Sequence, residues 1–556
     1  MSGLLCAHIS YRAHSYHRHT VAVAFGIIAV VTSGVAPSPL AAQSLLRGPR
    51  FEVSFASAAH PAPITGRVYI AISRTNEARR TPIMQTGETG VPLFGANIDN
   101  VAAGKAIVID ASAFGHPVRS LAAIPAGEYW VQPFVNIYTK FARADGHTVW
   151  LHNDQWEGQN WKRSPGNIFG DPVKIKFDPQ SSTPIKLVAD KVIPPIVVPA
   201  ETENVKRIKI QSAILTKWWG QPMYLGATVL LPKDYDKHPD AKYPIVYEHG
   251  HFSLRAPRVG SDPAWNADGT PRMIIATVQH PSPYYDDSYG VNSENNGPYG
   301  DAITQELMPA VETKFRVIGQ PWARLLTGGS TGGWISLAHQ IFYPDLYGGV
   351  WSLCPDAVDF RYHQIVNVYA DTNAYFFDRE WMKVDRPAQR QPDGNIVAMM
   401  KDENWYELAS GDHTRGGGQW DIWEATYGPV GTDGYPKPIW NKQTGVIDHQ
   451  VADYWKEHYD LRYMLQTKWA TLGPKLANKL NVYVGDADSY FLNMGVHLLT
   501  DFLKTTAAPT KWTGETVFQP MAPHCWGPPM PQLMQKMTKA MEQNAPAGAD
   551  LKSWRY

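Results

Sequence analysis

The spacing of hydrophobic and polar positions changes twice along the 556-residue chain. Between residues 50 and 180, short apolar runs are separated by turn residues: FEVSFAS, GRVYIAISR, KAIVIDAS, GEYWVQPFVNIYTK and PVKIKFDP. Period-two alternation in GRVYIAI and EYWVQPFVNIY predicts half-buried antiparallel strands, and the set predicts an all-β, Ig-like sandwich over 43–180. Residues 181–205 hold four prolines and no helical period, which predicts an extended linker. From 206 to 556 the pattern becomes α/β. The short β-rich runs GATVLLP, YPIVYE, RMIIATVQ, ARLLTG, GVWSLC and LNVYVG alternate with the helically spaced DAITQELMPAVETKF, TGGWISLAHQIFY and LNMGVHLLTDFLK. Asp301 reads as the N-cap of the first of these helices. Such alternation predicts a mainly parallel sheet covered on both faces, with its site beyond the C-terminal strand ends. The run from about 361 to 472 interrupts it. That run is polar, Gly-rich and aromatic, with Trp381, Trp405, Trp420, Trp423, Trp440, Trp455 and Trp469, and reads as an insertion. It is either a lid over the site or a surface elaboration packed on its own aromatics.

Composition narrows the class. Hydrophobic residues make up 44% and charged residues 18%, which excludes a disordered chain, and the length calls for at least two domains. The formal net charge is zero, so no global field draws nucleic acid or an anionic membrane. Residues 1–42 read as an export signal. Arg12, His17, Arg18 and His19 precede the uncharged run 21–31, and small and Pro residues follow up to a cleavage site after Ala42 or Ala36. The run is too short to span a bilayer comfortably, although an uncleaved anchor is the competing reading. A secreted or periplasmic mature chain is expected. It keeps Cys354 and Cys525, which the sequence leaves open as a disulfide or as two thiols.

The chemistry lies after the strands. ARLLTG runs into Gly328-Gly329-Ser330-Thr331-Gly332-Gly333, a G-x-S-x-G turn. Such a turn lifts a serine above the sheet on a strained strand-to-helix corner, and small neighbours let strand and helix pass closely. Ser330 is the expected nucleophile, and the backbone N–H of Thr331 an oxyanion donor. A serine nucleophile needs a base, and the base an orienting acid. Asp486 and Asp488 follow LNVYVG, and His524 follows GETVFQ, so serine, acid and histidine come in the order this fold uses. In EHGHF, His249 and His251 flank Gly250 at a strand end. That pair invites a zinc reading, but the serine elbow and its downstream partners already supply a chemistry, and no metal or cofactor is expected. Gly250 then turns the chain, His251 offers its backbone N–H, and His249 braces the loop by hydrogen bonding. On that reading His251→Ala keeps much of the activity.

The HG turn, GDAITQELMPAVETKFRVIG, GGSTGG and the FYPDLYGGVWSL run together resemble the enterochelin-esterase and feruloyl-esterase-like branch of the α/β-hydrolases, of the esterase D type. The resemblance covers about 206–360 and 475–540. It implies an α/β-hydrolase fold and a serine carboxylic-ester hydrolase working through an acyl-enzyme. A Gly-x-x-Asp pattern falls on Gly485 to Asp488, which implies Asp488 as the acid and leaves Asp486 as its alternative. An aromatic two residues after the histidine matches Trp526. Ala522 and Pro523 depart from the glycines usual before that histidine, and the insertion is longer than usual. The implied substrate is a small-molecule or glycan-linked ester, and the zero net charge leaves no nucleic-acid partner expected. The competing readings are a secreted peptidase of the prolyl-oligopeptidase type, a metal-dependent hydrolase on His249 and His251, and a non-catalytic glycan-binding protein.

Overall fold

The computed structural model describes residues 48–152, 156, 160–285 and 287–556. The expected export signal at 1–42 lies outside them. The α/β half is built on one eight-stranded sheet: β1 (Val205–Ser212), β2 (Met223–Leu230), β3 (Ile245–His249), β4 (Ile274–Gln279), β5 (Arg324–Gly329), β6 (Gly349–Leu353), β7 (Leu480–Gly485) and β8 (Glu515–Gln519). Their spatial order is 1-2-4-3-5-6-7-8. The pairs β1–β2 and β2–β4 are antiparallel, and every later pair is parallel. The central strands are almost continuously apolar, as strands buried on both faces must be. Ile245, Val246, Ile274, Ile275, Leu325, Leu326, Val350 and Val482 are all buried. Register carries His249, Gly328, Leu353, Gly485 and Gln519 to the C-terminal edge of the sheet. Helix α1 (Thr331–Phe342) follows β5 and is buried on nearly every residue. The helix that Asp301 was expected to cap instead starts at Tyr299 behind Pro298, with Asp301 inside its first turn and a π-turn at Ile303–Leu307.

The N-terminal part is β-rich. Arg50–Phe55 pairs with Ile107–Asp110 and with Ile185–Ala189, and Ile64–Ser73 pairs with Leu93–Val101 and the long strand Gly127–Ala142. Phe51 and Val53 from the first sheet and Val68, Ile70 and Val135 from the second share one buried core. Ile185–Ala189 and Lys191–Val192 are strands inside the segment read as linker. IKLVA still alternates, and prolines exclude a strand only where they stand. Residues 47–556 cluster as one compact unit. Among the described residues no helix is long and apolar enough to cross a membrane.

Between β6 and β7 lie helices α2 (Met400–Ser410), α3 (Gln419–Tyr427), α4 (His449–Tyr459) and α5 (Leu461–Leu476). Trp420, Trp423, Trp440 and Trp455 are fully buried, whereas Trp381 is exposed. At the centre the Lys442 ammonium donates to Glu407 and Asp421, with Glu424 at 3.6 Å. Glu407 in turn accepts the N–H groups of Trp420 and Asp421 at the start of α3, and so ties α2 to α3. The strands of the N-terminal part buttress this segment. Arg67 donates to the Ala409 carbonyl at 3.0 Å, and Arg415 to the Trp150 carbonyl at 3.0 Å. Removing one member of a buried ion cluster strands the charges left behind. Lys442→Met is therefore expected to cost about 3–5 kcal/mol of stability in denaturant unfolding. An unchanged midpoint would contradict this reading of the cluster.

Candidate active site

The turn at Ser330 is strained. Ser330 sits at φ 58°, ψ −124°, outside the regions that residues with a Cβ favour, between the end of β5 and the first residue of α1. Gly332 shows why glycine is needed beside it. A Cβ there would lie 1.9 Å from the His249 carbonyl oxygen, where α1 passes the end of β3. The Ser330 N–H bonds the Leu353 carbonyl at 3.0 Å, which anchors the turn to β6.

Ser330 Oγ lies 2.8 Å from His524 Nε2, and His524 Nδ1 lies 2.7 Å from Asp488 Oδ2. Asp488 is fully buried, and its other oxygen accepts the N–H groups of Tyr490 at 2.9 Å and Leu492 at 3.3 Å. These bonds fix the carboxylate before it meets the imidazole. The Tyr490 ring stands edge-on to His524, with centroids 4.9 Å apart. Burial works against a charge on His524, but the bonds to Asp488 and Cys525 outweigh it and hold the imidazole up to about 10. The hydrogen bond with Cys354, against burial and with help from His524, pushes the Cys525 thiol down to about 5. Asp486 takes another place. It is half exposed, 3.4 Å from His497, and its carbonyl accepts from Asn493.

His249 and His251 separate. His249 is buried, with ring centroids 4.8 Å from His339 and 5.9 Å from His280. Its Nδ1 has no hydrogen-bond partner among the described residues, and the ring packs against the two neighbouring histidines, where the sequence led to a hydrogen-bonding brace. Burial, then the two neighbouring histidines, holds its pKa well below the ordinary value. The His251 imidazole bonds buried Asp287 at 2.9 Å and approaches Thr331 Oγ1 at 3.4 Å. The side chain is thus engaged as well as the backbone. His251→Ala is expected to keep hydrolysis within about tenfold of wild type while losing about 1–3 kcal/mol of stability, since buried Asp287 loses that bond. Thermal unfolding beside an ester assay checks both halves, and an undiminished melting temperature would remove the bracing role.

The sequence missed a second carboxylate. Asp356, two residues past Cys354, is buried, with Oδ1 3.3 Å from Ser330 Oγ. Its Oδ2 accepts from Tyr289 Oη at 2.5 Å and Thr331 Oγ1 at 3.1 Å. Gln419 at 2.5 Å and Trp423 at 2.7 Å, both on α3, donate to Tyr289 Oη. This chain keys the β6–β7 segment to the serine turn. The place of Asp356 just past the end of β6 is the one signal that could have found it; Tyr289 and Gln419 leave no periodic signal. A cleft of about 210 Å³ is lined by Trp161, Lys162, His251, Tyr285, Tyr406 and Gln419, among others, and two of these reach the serine turn, His251 at Thr331 Oγ1 and Gln419 at Asp356 Oδ2.

Residues 223–404 match the family model described as "Putative esterase". With the strand order and the serine turn, the class is defined: the chain is a carboxylic-ester hydrolase of the α/β-hydrolase fold. A search of curated proteins returns no match. Among solved structures the chain is similar to a ferulic acid esterase, at 15% identity over 61% of this chain and 99% of that one, with a TM-score of 0.35. It is also similar to an S-formylglutathione hydrolase from Agrobacterium tumefaciens (12% identity, 62% and 94% covered, TM-score 0.33). A ferulic acid esterase from Anaeromyces mucronatus stands at 14% identity, 59% and 89% covered, with a TM-score of 0.27.

Proposed function

We propose that the protein is an exported serine hydrolase that cleaves small-molecule or glycan-linked esters through a Ser330–His524–Asp488 triad and an acyl-enzyme. The observation that carries this is the unbroken chain from Ser330 Oγ to His524 at 2.8 Å and from His524 to Asp488 at 2.7 Å. The neutral form of His524, whose share rises with pH because the bonds to Asp488 and Cys525 favour the charged form, takes the proton from Ser330 as Oγ attacks the ester carbonyl, and then gives it to the leaving alcohol. Water repeats the two steps on the acyl-enzyme. Asp488 selects the tautomer with hydrogen on Nδ1 and stabilises the imidazolium. The backbone N–H groups of Thr331, at the first turn of α1, and of His251 hold the oxyanion; each such donor lowers the barrier by about 3–4 kcal/mol.

The cleft bordered by His251 and Gln419 is taken as the seat of one substrate group. A cavity of about 150 Å³ admits benzene, so about 210 Å³ takes one six-membered ring. Trp161, Tyr285 and Tyr406 supply flat faces, and Gln419 and Lys162 supply polar ends. The substrate group seated there is a single aromatic or sugar ring. The N-terminal β-rich part acts as an Ig-like module that backs the β6–β7 segment over this cleft.

A fluorophosphonate probe tests the reading, because it phosphonylates a serine only when a base activates it. One label is expected, on the peptide that contains Ser330. Label on another residue, or none at all, sinks the proposal.

A further inference from the structure

Cys354 and Cys525 have no part in the hydrolysis above, yet both sit against it. Cys354 follows β6, and its Sγ accepts the Ser330 N–H at 3.3 Å. Cys525 directly follows His524. Both are free thiols, Cys354 buried and Cys525 exposed. Their sulfurs converge on one point: a Cβ built on Gly329 would lie 3.8 Å from Cys525 Sγ and 3.9 Å from Cys354 Sγ. With one imidazole nitrogen of His524, the three donor atoms all lie within 4.8 Å of one another. The backbone is bent to bring them there. Cys354 at φ 37° and Cys525 at φ 61° both occupy the left-handed region, which costs energy for a residue with a Cβ. Two sulfurs and an imidazole nitrogen suit a tetrahedral, thiophilic divalent cation, with a fourth position left open.

We propose that Cys354, Cys525 and His524 form a binding site for a zinc-like divalent cation that inhibits the enzyme. The inhibition rests on the triad reading; the binding does not. Each ligating thiol releases its proton to water, so two thiolates balance the two charges of the cation. The imidazole joins neutral, through a lone pair. Its nitrogens are held at 2.7 Å by Asp488 and at 2.8 Å by Ser330, so the cation displaces one of these bonds. With Nε2 on the cation, no lone pair remains for the serine proton. With Nδ1 on it, Asp488 no longer orients the ring. The cation enters from the exposed Cys525 side, and buried Cys354 closes the floor.

The test uses the full chain, reduced and freed of metal. Cadmium is titrated against the ultraviolet thiolate-to-metal charge-transfer band, and zinc against ester hydrolysis. A saturable band and inhibition by zinc are expected. Cys354→Ser and Cys525→Ser should each raise the half-inhibiting zinc concentration at least about tenfold, relative to the zinc-free rate of the same variant. Ser330→Ala should bind cadmium as the wild type does although its hydrolysis is lost, so failure of the triad reading leaves the binding result intact. Three results would overturn the site: no charge-transfer band from titratable thiols, thiols already closed into a disulfide in the protein as purified, or zinc inhibition unchanged in both cysteine variants.

Discussion

Ser330→Ala is expected to lower kcat for a short aryl ester by about 10⁶-fold, leaving only the residual rate that binding and the oxyanion donors sustain. The size follows from the role. On the proposed mechanism Ser330 Oγ forms the acyl bond, and it lies 2.8 Å from His524 Nε2. Without it His524 has no nucleophile to activate, and the covalent path closes. Stability is not expected to fall in step, because the turn is held by backbone bonds from Ser330 N–H to Leu353 and from Asp356 N–H to the Ser330 carbonyl. A near-normal melting curve with lost hydrolysis is the pattern sought. Hydrolysis retained above about one per cent of wild type would move the nucleophile elsewhere. Assaying short acyl, long acyl, feruloyl and acetylated glycan esters beside this variant also sets the substrate class.

Asp488→Asn is expected to cost about 10⁴-fold in kcat, and Asp486→Asn less than about threefold. The two aspartates are two residues apart, but only Asp488 turns inward. Its Oδ2 meets His524, while Oδ1 is already held by the Tyr490 and Leu492 N–H groups. An amide at 488 either points its NH₂ at the imidazole, which forces the wrong tautomer, or turns it on backbone donors. Asp486 faces His497 in half-exposed surroundings, where a charge contributes little. Equal losses at both positions, or a larger loss at Asp486, would reverse the assignment of the acid.

Much of this was legible in the chain. Continuous apolar runs such as YPIVYE and ARLLTG can be buried only in a sheet covered on both faces, and the serine turn could be read from its glycines. The residues alone left Asp486 and Asp488 open, and only the family resemblance, through its Gly-x-x-Asp pattern, implied the one that faces His524. What was hidden has identifiable causes. The strand Ile185–Ala189 escaped because prolines surround it, although its own alternation is regular. His249 looked like a loop brace, yet it ends a buried strand and packs between two other histidines.

The sequence by itself determined the sheet and the strained serine corner, and it set Ser330, Asp488 and His524 each after a strand, because strand periodicity and glycine chemistry are local properties of the chain. Only the tertiary structure decided which side chains meet across long separations. Asp356 contacts Ser330 from the loop after β6, and Tyr289 joins it to Gln419 and Trp423 on a helix more than a hundred residues away. Lys442 gathers three carboxylates, and two cysteines far apart in the chain close over Gly329. Such meetings depend on sheet order and on the path of long loops, and hydrophobic spacing along one chain carries no record of either.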